Sequence, residues 1–397
     1  MPNLKFAASG LLAVGLLSGC GGSSSAPKAA ASAPTAAAAA ANVITVSKAA
    51  CGTGWRHPAA GLQTLLIHNS SDTVVEVTLA DADTGAVHAR LEGIGPGTTR
   101  PMQVDVGSGR YAFECSGFYY GSQTGPVIRV GGHTPGGAAV VPPTVGELQA
   151  VLSQSRSYVA NGLAALVSET AALAARIKAG DLPGARAAWL TAHLAYERLG
   201  SAYGMFGGYD DEIDGLPDGL PGGVNDPSFT GFYRLEYGLW HGQSAAELAG
   251  PAEQLDIDVQ SLGTASSVGP TAPALVLSDL ALRTHEILEH TMRFQLSGHD
   301  DFGSGTTLAT AAANIDATQA QLSILHPLLV SRYASLPAVY AWLARLRQLI
   351  DAEHTSSGWT PVSRLSTAQR ETIDAAAGQA VELLAPIPVM FESSPVT

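Results

Sequence analysis

Cysteine is nearly absent from this chain, with three in 397 residues, so at most one intramolecular pair and one spare thiol are available. Basic residues are also few. Twenty-one Lys and Arg face 34 Asp and Glu, for a net charge of −13. That deficit excludes nucleic acid as the main partner, because neutralising phosphates needs clustered Lys and Arg. An acidic chain suits a cation ligand better. Beyond the first twenty residues no stretch reads as long and apolar enough to span a membrane. What is present is an ordinary hydrophobic content of 46% and enough length for two domains, each with its own core.

Residues 1–20 read as a targeting signal. Lys5 supplies a positive start, Ala7 to Leu17 is a short apolar run, and Leu17-Ser18-Gly19-Cys20 resembles a bacterial lipobox. The expectation is lipidation of Cys20 and attachment to a membrane face. Residues 21–42 are rich in Gly, Ser, Pro and Ala, have too few large apolar residues to fold, and read as a tether. Outside the cytoplasm, the remaining Cys51 and Cys115 are expected to form a disulfide, with a metal site as the alternative.

Residues 43–132 alternate with a period of two. Val43–Val46, Thr64–Asn69, Val74–Leu79, Ala86–Leu91, Thr99–Val104, Arg110–Cys115 and Val127–Val130 are short β-branched or aromatic runs separated by Gly, Pro, Asn or Asp. Seven such strands in this span predict a Greek-key β-sandwich. Residues 133–143 form a Gly- and Pro-rich linker. From 144 to 390 the period becomes 3.6. Helices are expected over about 148–177, from Asp181 to about 202, and over about 229–241, 272–296, 306–325, 337–352 and 367–384. Short loops between antiparallel helices predict an all-α bundle.

Polar residues concentrate in this second half. His193 and Glu197 lie one helical turn apart on one face and could ligate one cation. The acidic stretch Asp210-Asp211-Glu212-Ile213-Asp214 follows and reads as a loop that suits hard cations such as Ca, Mg, Mn and iron. Tyr233 and Glu236 share the aromatic face of the next helix, where a buried Glu needs a partner. His285-Glu286-Ile287-Leu288-Glu289-His290 lacks zinc-protease spacing, since its two His residues are five apart and point in different directions. That helix reads as part of a buried structural network, with Arg283 nearby.

In this order, Tyr196-Glu197-Arg198, Phe206-Gly207 with Asp210 and Ile213-Asp214, and Thr230-Gly231-Phe232-x-x-x-Glu236 with Leu239-Trp240 resemble the imelysin-like family, in its iron-uptake lipoprotein form. The resemblance covers essentially the whole mature chain. It implies a cupredoxin-like front domain ahead of the imelysin-like helical domain. The family's Gly-x-His-x-x-Glu reads Gly231-Phe232-Tyr233-Arg234-Leu235-Glu236 here, so a phenol replaces the imidazole. Gly200 and Gly208 stand where the family has acidic residues, and Phe113 stands where a Met precedes the second Cys.

The function implied is an extracytoplasmic, non-enzymatic component that binds iron, as Fe(II) or Fe(III), and delivers it to a membrane permease beside a dye-decolourising peroxidase. Copper or zinc is the other metal considered. Glu197, Asp210 and Glu236 are expected to converge on one pocket with His193 and Tyr233 at its edge. The phenolate of Tyr233 could serve ferric iron. In the sandwich, Glu76 would join Cys51 and Cys115 if those hold metal. Without a cation, Arg198 or Arg283 would have to close the cluster. The alternative function is a metal-free module recognising a polymer, haem or a protein through the helical cleft. The family is also classed with peptidases, but no nucleophile triad accompanies these residues.

Overall fold

The structure, a computed structural model, describes residues 43–117, 121–200, 203–267 and 277–392. Cys20, the leader and the tether lie outside the described residues. The first part is a two-sheet β-sandwich. One sheet runs β2 (Ala50–Thr53), β1 (Val43–Ser47), β3 (Gly61–Asn69), β6 (Thr99–Val106). The other runs β5 (Val87–Ile94), β4 (Val75–Asp81), β7 (Gly109–Gly117), β8 (Gly121–Thr124), with β9 (Ile128–Val130) also on β7. β1 lies parallel to β3, and β3 antiparallel to β6. The chain changes sheets between β3 and β4 and returns between β5 and β6. Alternation puts Ile44, Val46, Leu65, Ile67, Val77, Leu79 and Val104 into the core between the sheets. Buried Asn69 holds the first crossing: its Nδ2 donates to the Thr73 and Ile94 carbonyls, both at 2.8 Å, and its Oδ1 accepts from Ser71 N. Strands β2 and β8 were not expected from sequence, because four residues carry too little periodicity to show.

Cys51 on β2 and Cys115 on β7 form a disulfide that joins the two sheets, with Cα atoms 5.7 Å apart. The bridge leaves no thiolate for a metal. Glu76 is placed against that alternative as well. Val77 is the residue opposite Cys115, so Glu76, opposite Ser116, points to the other face of β4, where it pairs with Arg90 at 2.9 Å.

The second part is helical apart from a short antiparallel pair of strands, His354–Thr355 with Gly358–Trp359. A capping box, with Thr144 and Glu147 satisfying each other's backbone N–H groups, starts α1 (Val145–Lys178). There follow α2 (Leu182–Glu197), α3 (Gly208–Asp214), α4 (Gly231–Trp240), α5 (Ala245–Ser267), α6 (Leu277–Arg293), α7 (Thr307–Leu329), α8 (Leu336–Asp351), α9 (Thr367–Leu384) and α10 (Pro386–Glu392). Two apolar cores result. One lies among α1, α2, α4 and α5, the other among α6 to α10, and α1 contributes to both through Leu148 and Val151 at one end and Val159 to Ile177 along the rest. α7 is buried on nearly every side, which its Ala309, Ala311, Ala312, Ala313 and Ala317 permit by letting neighbouring helices approach.

Three sequence expectations change. The acidic stretch is the helix α3 rather than a loop. α5 was missed because Gly250-Pro251 reads as a breaker, yet Pro251 sits inside the helix. Two segments, Gly146–Lys178 and Thr367–Phe391, are by length and composition apolar enough to cross a membrane, contrary to the first reading. Both pack their apolar faces into the helical cores.

Candidate metal centre

α2 begins at Asp181, whose carboxylate accepts from Gly184 N at 3.0 Å, with Pro183 in the first turn. From there Ala185, Trp189, Ala192, His193, Tyr196 and Glu197 form its buried stripe. His193 and Glu197 are therefore carried inside, 1% and 2% exposed. The imidazole sits among aromatic rings, with centroids 5.0 Å from Trp189, 5.2 Å from Phe232 and 5.3 Å from Tyr233. Its Nδ1 has no hydrogen-bond partner among the described residues, so ring packing sets its orientation. Its Nε2 lies 3.3 Å from Glu197 Oε1 and 3.1 Å from Asp214 Oδ1.

Asp214 reaches this point because α3 is clamped to α2. Tyr196 Oη donates to Asp210 Oδ1 at 2.7 Å, and Phe206 N donates to Asp210 Oδ2 at 2.6 Å. Asp210 thus spends its oxygens holding the turn, and Asp214, one turn on, is the carboxylate that meets His193. His193, Glu197 and Asp214 each offer a ligand atom within 4.8 Å of the others, and they form the one such group among the described residues. Metal–ligand bonds of ~2.1 Å put neighbouring ligand atoms ~3.0–3.4 Å apart, the range found at Nε2.

α4 closes the site from the other side. Gly231 has φ +77°, and a Cβ there would lie 2.2 Å from the Ile213 carbonyl oxygen. Only glycine lets the start of α4 rest on the end of α3, which gives the Thr230-Gly231-Phe232 motif a physical reason. Gly231→Ala is expected to cost about 2 kcal/mol through strain and clash. Urea denaturation would show it as a lowered midpoint, and an unchanged midpoint would mean that the α3–α4 contact can move aside.

Behind the three-residue group lies a further acidic shell. Tyr233 Oη donates to Asp300 Oδ2 at 3.0 Å, and Gln295 Nε2 donates to the same oxygen at 2.8 Å. Glu236 Oε1 accepts from Phe302 N at 3.2 Å and Ser304 N at 2.9 Å. Burial, followed by the surrounding carboxylates, holds the Tyr233 phenol well above its ordinary pKa. Tyr233 here donates to Asp300 and stands outside the His193, Glu197 and Asp214 group. Burial also lifts Asp214 to about 8, Glu236 to about 7 and Asp300 to about 6. At His193, burial opposes the charged ring, but the hydrogen bonds and charges of Asp214 and Glu197 outweigh it and hold the imidazolium well above its ordinary pKa. Around His193 the acid groups Glu197, Asp214, Glu236 and Asp300 outnumber the imidazole they surround. Arg198 does not supply the missing charge, since it pairs with Asp316 at 3.2 Å with half of its side chain exposed. Arg283 pairs with Glu286 at 3.2 Å.

The structure therefore brings together His193, Glu197 and Asp214, with Glu236, Tyr233 and Asp300 around them. It moves His193 from the expected edge to the centre and gives Asp210 a structural task. Asp214 and Asp300 were not named as site residues from sequence. Asp214 stood in the Ile213-Asp214 pattern and could have been picked up there. Asp300 had no comparable signal.

A family model described as imelysin matches residues 152–387. Among curated proteins, "Iron uptake system component EfeO" of Escherichia coli (strain K12) is 27% identical over 333 residues, covering 83% of this chain and 86% of the relative. The protein of that name from Shigella flexneri gives the same figures, 27% over 333 residues. The one from Yersinia pseudotuberculosis is 27% identical over 331 residues, covering 83% and 85%.

Proposed function

The chain belongs to the imelysin family, and from that premise we propose that it is the extracytoplasmic, lipid-anchored iron-binding component of an iron-uptake system, handing its ion to a membrane permease. One observation carries the reading: a buried imidazole and two carboxylates, His193, Glu197 and Asp214, meet within 4.8 Å in an interior short of positive charge. One nitrogen and several oxygens suit iron in either oxidation state, and a cation relieves the repulsion that otherwise keeps the carboxyls protonated. Iron is cargo here, so release matters as much as capture. Three protein ligands leave further positions open to water or to a receiving site. The names of the three relatives support the iron-uptake role, and the Leu17-Ser18-Gly19-Cys20 tetrad supports the anchor. No peptidase step is proposed, because the relatives are named for iron uptake and His285 and His290 do not share a helix face.

Calorimetric titration of the mature protein with Fe(II) under anaerobic conditions, and with Fe(III) citrate, tests the reading. Wild type is expected to bind one ion. His193→Ala and Glu197→Gln are expected to weaken binding by about 100-fold or more, equivalent to about 2.7 kcal/mol. Absence of binding by wild type would leave a metal-free binding module as the better account. Equal binding by the variants would move the site elsewhere.

A further inference from the structure

A second cavity, of about 600 Å³, opens on α4 and α5, and its lining includes none of the metal-centre residues. Arg234 of α4 and Asp258 of α5 both line it. Asp258 is 7% exposed, and its one hydrogen bond among the described residues is from Gln254 to Oδ1, at 2.7 Å. Arg234 is half-buried and bonds among the described residues only through Nη1, to Gln243 Oε1 at 2.9 Å. The second oxygen of Asp258, and Nε and Nη2 of Arg234, are left without such partners. Although they line one cavity, Arg234 and Asp258 do not pair with each other or form any other ion pair among the described residues.

Opposite charges partly removed from water normally pair, because isolated burial is costly for each. Burial is felt at both groups here. It lifts the Asp258 carboxyl, and it draws the Arg234 guanidinium down against the charges of Tyr237 and Glu247. Of the two other acids in the lining, Glu212 is exposed to water, and Asp226 is committed to its own loop, accepting from Gly222 N and Ser228 N, both at 2.9 Å. Phe229 and Pro227 give the cavity apolar wall. Its volume lies within the range of roughly 300–1,000 Å³ usual for small-molecule sites.

We propose that this cavity binds a small zwitterion of the α-amino acid or dipeptide class, with its carboxylate on Arg234 and its ammonium on Asp258. A dipolar ligand supplies Asp258 with a counter-charge and gives Nε and Nη2 of Arg234 an acceptor, and a side chain can lie on the Phe229 and Pro227 wall. Guanidinium recognises carboxylate through paired N–H donors, and carboxylate accepts from ammonium, so both contacts are charge-assisted. The site is separate from the proposed iron centre and does not depend on it.

The test is calorimetric titration of the mature protein with glycine, leucine and glycyl-leucine, with acetate and n-butylamine as single-charge controls. At least one zwitterion should bind, and both controls should bind about 10-fold more weakly or worse. Asp258→Asn and Arg234→Gln should each weaken zwitterion binding by about 10-fold or more, because each leaves a charge without its partner. Both variants should keep wild-type circular dichroism and iron binding. No zwitterion binding at millimolar concentration would overturn the proposal. So would wild-type affinity in folded Asp258→Asn, or acetate binding as tightly as the zwitterions.

Discussion

The Cys51→Ser/Cys115→Ser double variant is expected to lose about 4 kcal/mol of sandwich stability, which for a domain of this size lowers its melting temperature by roughly 15–30 °C. The bridge closes a loop between residues 64 apart in sequence, and opening it returns that freedom to the unfolded chain. Little else fixes β2. It is a four-residue edge strand, paired with β1 only at Thr45–Thr53 and Ser47–Ala50 across an irregular register. The bridge also crosses from one sheet to the other, so its loss loosens the packing of Cys51, Phe113 and Trp55 in the core between them. Scanning calorimetry of the full mature chain should show the sandwich transition moving down while iron titration of the helical domain stays unchanged. Wild type treated with a reductant should follow the double variant. An unmoved transition with both thiols shown free would remove the bridge from the account of this domain's stability.

Metal-free protein is expected to be less stable at pH 8 than at pH 6, by on the order of 2–4 kcal/mol. Asp214, Glu236 and Asp300 hold protons in the folded state up to about 8, 7 and 6, whereas the unfolded chain releases them near the ordinary carboxyl values. Folded protein therefore binds more protons across this window, and stability falls as pH rises. His193 titrates together with Asp214 as one hydrogen-bonded pair, and a proton on either acts in the same direction. The folded pKa of the imidazole is raised by Asp214 and Glu197 against the opposing effect of burial, so its contribution is fully present below the unfolded value and is lost as pH climbs through the folded one. Urea midpoints of chelator-treated protein at the two pH values give the difference, and Asp214→Asn should flatten it. A metal-free protein equally stable at both would show that the acidic interior is already balanced by other charges. Because a bound cation displaces the same protons, metal affinity should rise over the interval in which metal-free stability falls.

Architecture was legible in the sequence because it rests on periodicity and local chemistry. Alternating β-branched residues before residue 132 and a 3.6-residue period after it separate the sandwich from the helical part. The turn at Asn69 and the capping box of Thr144 and Glu147 are set by side chains bonding nearby backbone, over only a few residues. The helix α5 escaped because a proline breaks the local pattern that packing against α1 restores.

The candidate site was legible to the extent that it lies within one helix. His193 and Glu197 follow from a four-residue spacing on a buried stripe. Asp210 and Asp214 are also four apart and share a face, so spacing could not say which would meet the imidazole. The clamp of Tyr196 and Phe206 on Asp210 decides it, and that contact exists only once α3 has docked on α2. Asp300, held by Gln295, reaches Tyr233 from 67 residues along the chain. The sequence by itself determined the two fold types and the helix faces, because those arise from interactions between near neighbours. Tertiary structure alone decided which acid groups gather around His193, because that depends on which buried faces are pressed together.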